Sequence, residues 1–296
     1  MGIIFALLSA AALGLNSAVV RRGVLIASPY YAVLISVTGG AFIFFALAFL
    51  TGQIERFHEI GGRGAVIIGV GGVINYLGAR LSQFIAIGSV GANVTAPLRG
   101  FSSLFAAILG MTLLGEAITA TRISGVLLLV AAPLIAFSRP ATIRQDLERT
   151  TAPRLVRGIV FGLLSAGTYG ISSFLFRWVL ANTGLPFLGA FIAHVSGAFV
   201  LLAILLVPQM RRGLMGIGRR ALSYFVGVLF IMAVGQVLWF LALEAAPISV
   251  VAPLVETLAF FGVGFAYIIN RDTESFHPLV LAGLCVAVIG AIVIAL

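Results

Sequence analysis

Of the 296 residues, 61% are apolar and 9% are charged, and the mean hydropathy is +1.19. A soluble domain carries about 25% charged residues, so this composition excludes a soluble chain and places the protein in a bilayer. The net charge of +9 comes entirely from arginine, with no lysine. The arginines gather at the ends of apolar runs, which fits the cytoplasmic margin of a membrane and not nucleic acid. One cysteine, Cys285, excludes an internal disulfide and a cysteine-cluster metal site.

A spanning helix needs roughly 20 apolar residues, and ten such runs follow one another. They cover approximately 2–20, 30–50, 64–87, 90–113, 122–138, 156–180, 186–206, 221–243, 247–269 and 278–296. The fifth is short and contains Pro133. The first lacks a basic leader, runs straight into Arg21-Arg22 and has a counterpart in mid-chain, so it reads as a spanning helix and not a cleaved signal. The one long polar connection is RPATIRQDLERTTAPRLVR, from Arg139 to Arg157. It separates a first unit, 1–138, from a second, 156–296, through a linker at 139–155.

The two units are copies. GIIFALLSAAALGLNSAVVRR (2–22) lies over GIVFGLLSAGTYGISSFLFRW (158–178) at an offset of 156, with ten of 21 positions identical, among them Ser9, Ala10, Gly14, Ser17 and Arg21. At the same offset AIGSVGANVTAPLR (86–99) lies over ALEAAPISVVAPLV (242–255). Pro97 and Pro253 fall inside these spans, where a missing N–H and a clash with the preceding turn kink a helix. Five spans in each half is an odd number, so the halves enter the membrane in opposite senses. The fold expected is therefore an all-α integral membrane protein with ten transmembrane helices as two inverted five-helix repeats, the plan of many secondary carriers. Ala6, Ala10 and Gly14, with Gly162, Ala166 and Gly170, are spaced for close helix approach.

Two five-span halves, an Ala-Pro-Leu helix after a tight turn, and Leu-Gly-Glu at 114–116 before the fifth span resemble the EamA branch of the drug/metabolite transporter superfamily. The resemblance covers essentially the whole chain. Within the branch the chain is most similar to the YddG-type exporters of aromatic and other amino acids. The resemblance implies export of small metabolites across a bacterial-type inner membrane, with no cofactor. It also implies both termini in the cytoplasm. The charge count disagrees: twelve arginines fall on the side of the 1–2, 5–6, 7–8 and 9–10 connections, against Arg56, Arg63, Arg122 and Arg177 opposite. The positive-inside rule then puts both termini outside.

Polar side chains within spans face a cavity or a partner. Arg99, two residues past Pro97, and Glu256, three past Pro253, are near-equivalents in the two halves. They form either a structural salt bridge or a pair that receives a zwitterion, Arg99 taking the carboxylate and Glu256 the ammonium. Tyr76, Arg80 and Gln83 follow helical spacing in the third span with Asn75 beside them, and Met232, Gln236 and Trp239 repeat the face in the eighth. Both faces suit a cavity for partly apolar molecules, or else hydrogen bonds to other helices, with Arg80 snorkelling to an interface. His194 in the seventh span and Tyr169 in the sixth complete the set; proton coupling would run through His194 or Glu256, the alternative being a packing histidine. Asn93 precedes the first kink, as a cap or a ligand contact. Glu116 and Glu274 stand beside Arg122 and Arg271, so local pairing is expected.

No HExxH, P-loop or GxSxG occurs, and nothing points to an enzyme, a metal or a nucleotide. The sequence reads as a carrier working by alternating access, with a small-molecule substrate and the lipid bilayer as its partners and no nucleic acid. Amino acids, aromatic ones included, come first. An exchanger of sugar phosphates or nucleotide sugars, and a non-transporting membrane scaffold, stand as the alternatives. Oligomeric state is left open.

Overall fold

A computed structural model describes residues 1–102, 105, 109, 119–136, 138, 151–180, 183–245, 254–255 and 257–295. Pro253, Glu256, the Leu-Gly-Glu stretch with Glu116, and linker residues 139–150 lie outside the described residues.

The described chain is helical throughout. Helix α1 (Gly2–Val24) is followed by α2 (Pro29–Leu50) and by one continuous run made of α3 (Phe57–Val73), a π-helical stretch (Ile74–Arg80) and α4 (Leu81–Val90). Next come α5 (Ala92–Arg99), α6 (Ala120–Ala136), α7 (Ala152–Leu180), α8 (Pro186–Ile204), α9 (Pro208–Met215), α10 (Arg219–Ala245), α11 (Leu258–Ile269) and α12 (Pro278–Ala295). Helices α2, α8, α9 and α12 each begin at a proline, whose fixed φ suits a first turn and whose missing N–H costs nothing there.

Six of these helices are long and apolar enough to cross a membrane, within α1, α2, Phe57–Val90, α7, α8 and α10. Ile123–Ala136, Leu258–Ile269 and Pro278–Gly290 are shorter apolar helices. The chain is a multi-pass membrane protein. Two boundaries differ from the sequence expectation. The third span begins at Phe57 with a break at Gly61 (φ +65), and α9, a short exposed helix bearing Arg211 and Arg212, occupies what reads as a loop.

The largest buried cluster lies among α2, the α3–α4 run, α8 and α10, and includes Phe44, Phe84, Leu188, Leu201 and Phe225. Helix α1 packs on α10 and α11, while α7 packs on the α3–α4 run and on α5. Helices α2 and α8 pack on each other, as do α6 and α12. Close approach depends on glycine at the crossings. A Cβ on Gly14 would stand 2.7 Å from the backbone nitrogen of Gly262, so α1 and α11 cross backbone to backbone.

Candidate functional site

Helix α5 is held from its first turn. Gly91 (φ +93) takes a conformation that side chains avoid, separates α4 from α5 and turns the first amides of α5 toward the loop 270–277. There the Glu274 carboxylate accepts from Ala92 N at 2.7 Å and Asn93 N at 3.0 Å, meeting donors that a helix start leaves unpaired. Burial pushes the Glu274 carboxyl above the ordinary carboxylate range, against the pull of Arg21 and these two amides. The Arg21 Nε lies 3.7 Å from Glu274, and the same guanidinium donates to the carbonyls of Ile87 (2.5 Å), Gly88 (3.1 Å) and Thr273 (2.7 Å). The Asn93 amide donates to the Ser275 carbonyl at 3.0 Å, which makes Asn93 a tie between α5 and this loop. The expected Glu274–Arg271 pair is not formed: Glu274 turns inward to Arg21, and the Arg271 guanidinium lies over the Tyr267 ring at 4.9 Å.

Pro97 sits in the second turn of α5, and the helix stops at Arg99 with a turn at Gly100. The half-buried Arg99 side chain thereby borders two adjoining clefts between α5 and α11. They are narrow, with cavity volumes of about 30 and 20 Å³, and Gln83, Asn93, Thr95 and Ser17 give the first its polar wall. The Arg99 Cζ stands 5.9 Å from the centre of the Tyr169 ring, and the Tyr169 hydroxyl donates to Gln83 Oε1 at 2.9 Å. Arg99, Tyr169 and Gln83 thus form one group.

Asn75, Tyr76 and Arg80 form another, set apart by the π-helical stretch that contains them. An α-helix would align Tyr76, Arg80 and Gln83. A π turn holds one extra residue, which rotates the side chains beyond it by about 100° relative to those before it. Gln83 accordingly lines the cleft, while Tyr76 and Arg80 are buried, at 3% and 1% exposure, and lie off both cleft walls. Arg80 does not snorkel; its Cζ lies 4.6 Å from the centre of the Tyr76 ring. The buried His194 Nδ1 lies 2.7 Å from both the carbonyl of Ala190 and the Tyr76 hydroxyl, which is also 3.1 Å from Nε2. The Asn75 amide donates to Ser172 Oγ at 2.8 Å. On α10, Gln236 and Trp239 are half-buried, and Trp239 packs with Phe5 and Leu13 against Ala6 and Ala10 of α1.

Sequence reasoning misses Glu274 as a cap, although Thr273-Glu274 echoes Gly115-Glu116, and misses Ser17 and Thr95 on the cleft wall. Among the described residues no group of three or more histidine, cysteine, aspartate or glutamate side chains could hold a metal ion.

The EamA-like transporter family matches residues 1–138 and 156–296. Among the solved structures similar in fold is a crystal structure with a TM-score of 0.61 at 15% identity over 98% of this chain and 96% of the other. No curated protein matches the chain. With the family matched over both halves of a multi-pass helical chain, this protein belongs to the EamA-like transporters, membrane carriers of small solutes rather than enzymes.

Proposed function

We propose that this protein exports small amphipathic metabolites, amino acids including aromatic ones before all others, by alternating access through the space that Arg99 borders. The observation that carries this reading is the setting of Arg99. It is a half-buried guanidinium at the junction of two clefts, at the edge of cation–π reach of the Tyr169 ring, and none of the ion pairs among the described residues includes it. A guanidinium so placed offers its N–H groups to a carboxylate, and the Tyr169 ring beside it suits an aromatic or aliphatic side chain. Glu256, in the other half, is the proposed partner for the ammonium.

Helix packing supports the inverted repeat. The contact of α1 with α10 has its mate in α7 with the α3–α4 run, and that of α2 with α10 in α8 with α3. Asn16 donates to Met232 Sδ at 3.9 Å, and Asn75 donates to Ser172, the equivalent of Asn16 at the 156 offset. Loops on the arginine-rich side meet one another, Arg22 with Asp272 and Tyr31 with the Met210 carbonyl. This favours one basic face on the cytoplasmic side of an inner membrane, with both termini opposite.

An exchanger of sugar phosphates would need two cations on the cavity wall. Arg80 lies off it, which favours the single carboxylate.

The test is uptake of labelled phenylalanine into proteoliposomes holding the purified protein, with and without a proton gradient. Uptake above protein-free vesicles, lost in Arg99→Ala and in Glu256→Gln, is the expected result. Exchange of sugar phosphates that survives Glu256→Gln would replace this reading with the anion exchanger. Reconstituted protein that moves neither solute would leave the scaffold.

A further inference from the structure

Arg80 carries a full charge in the interior of the longest apolar helix run, and only 1% of it reaches solvent. Its Nε and Nη1 are buried with no hydrogen-bond partner, and no ion pair among the described residues includes it. The hydroxyl of neighbouring Tyr76 is bonded to His194 and makes no hydrogen bond to these two nitrogens. What faces the guanidinium is the Tyr76 ring, whose attraction for a cation offsets only a small part of the cost of removing that charge from water. A buried cation with unpartnered N–H groups is costly and is best met by a negative charge at those groups.

We infer that Arg80 is the protein side of a buried binding site for a small monovalent inorganic anion, chloride being the one that cells supply in quantity. A single guanidinium matches a ligand of single charge. Burial and absence from both cleft walls set its size nearer a halide than a metabolite. The π-helical stretch fits this role, since the wide turn ends at Arg80 and frees it from the face that Gln83 presents to the cleft. The site is distinct from Arg99. The Tyr169–Gln83 pair adjoins the Arg99 cleft, while Tyr76 and His194 border Arg80.

The experiment is thermal unfolding of the purified full chain in detergent, with chloride replaced stepwise by gluconate at constant pH and ionic strength. A ligand that binds only the folded state raises the unfolding temperature as its site fills. Expected is a saturable rise of a few degrees with chloride, reproduced by bromide and absent in Arg80→Met, which unfolds no lower than wild type in gluconate. Equal unfolding temperatures in chloride and gluconate would overturn the proposal, as would a chloride response that survives in Arg80→Met. A response to phenylalanine that depends on Arg80, with none to chloride, would also overturn it and make the ligand the substrate's own carboxylate. If Arg80→Met does not fold, crystals of wild type grown in bromide decide. An anomalous peak within hydrogen-bond reach of Arg80 supports the site, and density elsewhere only removes it. None of these readings needs transport, so the site and the carrier function stand or fall separately.

Discussion

Arg21 and Glu274 meet 3.7 Å apart, both buried, and so join the end of α1 to the loop ahead of α12. The pair spans the two halves of the chain and closes on the first turn of α5, the helix that carries Arg99. One carboxylate thus fixes a charge, caps a helix and orients the cleft wall.

Replacing Glu274 by alanine leaves the Arg21 guanidinium buried without its carboxylate and uncaps α5. Breaking a buried pair on one side costs about 3–5 kcal/mol, so Glu274→Ala is expected to lower the unfolding temperature strongly or to abolish expression. Glu274→Gln keeps an acceptor for one amide and is the milder change. The direction of the pH effect is set by the raised carboxyl pKa. Below the ordinary value the group is protonated folded and unfolded alike. As pH rises through the window up to the raised value, the unfolded chain releases its proton first, so this group's contribution to stability falls. The unfolding temperature of wild type minus that of Glu274→Gln, tracked from about pH 4 to about pH 8, is expected to decline. A flat or rising difference would show that the carboxylate is ionised throughout.

Tyr169 offers two separable contributions. Its hydroxyl holds Gln83 at 2.9 Å and its ring centre lies 5.9 Å from the Arg99 Cζ. Tyr169→Phe removes a hydrogen bond worth about 1 kcal/mol and keeps the ring, so phenylalanine uptake is expected to persist with KM raised several-fold. Tyr169→Ala also removes the ring and is expected to lose most uptake. Concentration-dependent uptake by both variants checks the split.

The sequence carries the membrane class, the duplication and Arg99, because apolar periodicity, a fixed offset and a mid-span charge are all written in residue types. It does not carry the division of Asn75, Tyr76, Arg80 and Gln83 into two groups. That division comes from a π turn, and no residue in INYLGAR announces one. Nearness in sequence pairs Glu274 with Arg271, whereas the fold brings Arg21 to it from the far end of the chain. Short α9 is hidden because eight residues with two arginines and a glycine read as a loop until Pro208 is taken as a first-turn proline. The Glu256 and Pro253 assignments lie outside the described residues.

His194 stands in the setting of a packing histidine. It is 1% exposed, bonded to the Ala190 carbonyl and the Tyr76 hydroxyl, and flanked by the Phe44 ring at 4.9 Å. A Cβ on Gly40 would strike its ring at 2.6 Å, so the imidazole fills a slot shaped for it. Tyr76→Phe is expected to cost about 1 kcal/mol of stability and to leave the proton-gradient dependence of uptake unchanged. His194→Gln is expected to lower the unfolding temperature further, again without altering that dependence. If instead the gradient effect disappears in His194→Gln while the protein stays folded, His194 carries the proton.

At Gly72 the backbones of α3 and α8 come close together. A Cβ there would lie 2.6 Å from the Cα of Ala193 and 2.8 Å from its carbonyl carbon, and backbone cannot step aside as a flexible side chain can. Gly72→Ala must therefore separate the two helices and disturb the cluster around Phe44 and Leu188. Overpacking of a close-packed interior costs typically about 1–3 kcal/mol, and here the whole helix contact has to shift, so the upper end is expected. Gly264, inside α11, is the matched control: a Cβ there meets nothing within 4 Å. Gly264→Ala adds a better helix former at no steric cost and is expected to be neutral or stabilising by up to about 1 kcal/mol. Unfolding temperatures of the two variants in one detergent, against wild type, should move in opposite directions. A Gly72→Ala protein as stable as wild type would mean that the α3–α8 crossing is looser than the close approach of Gly72 and Ala193 requires.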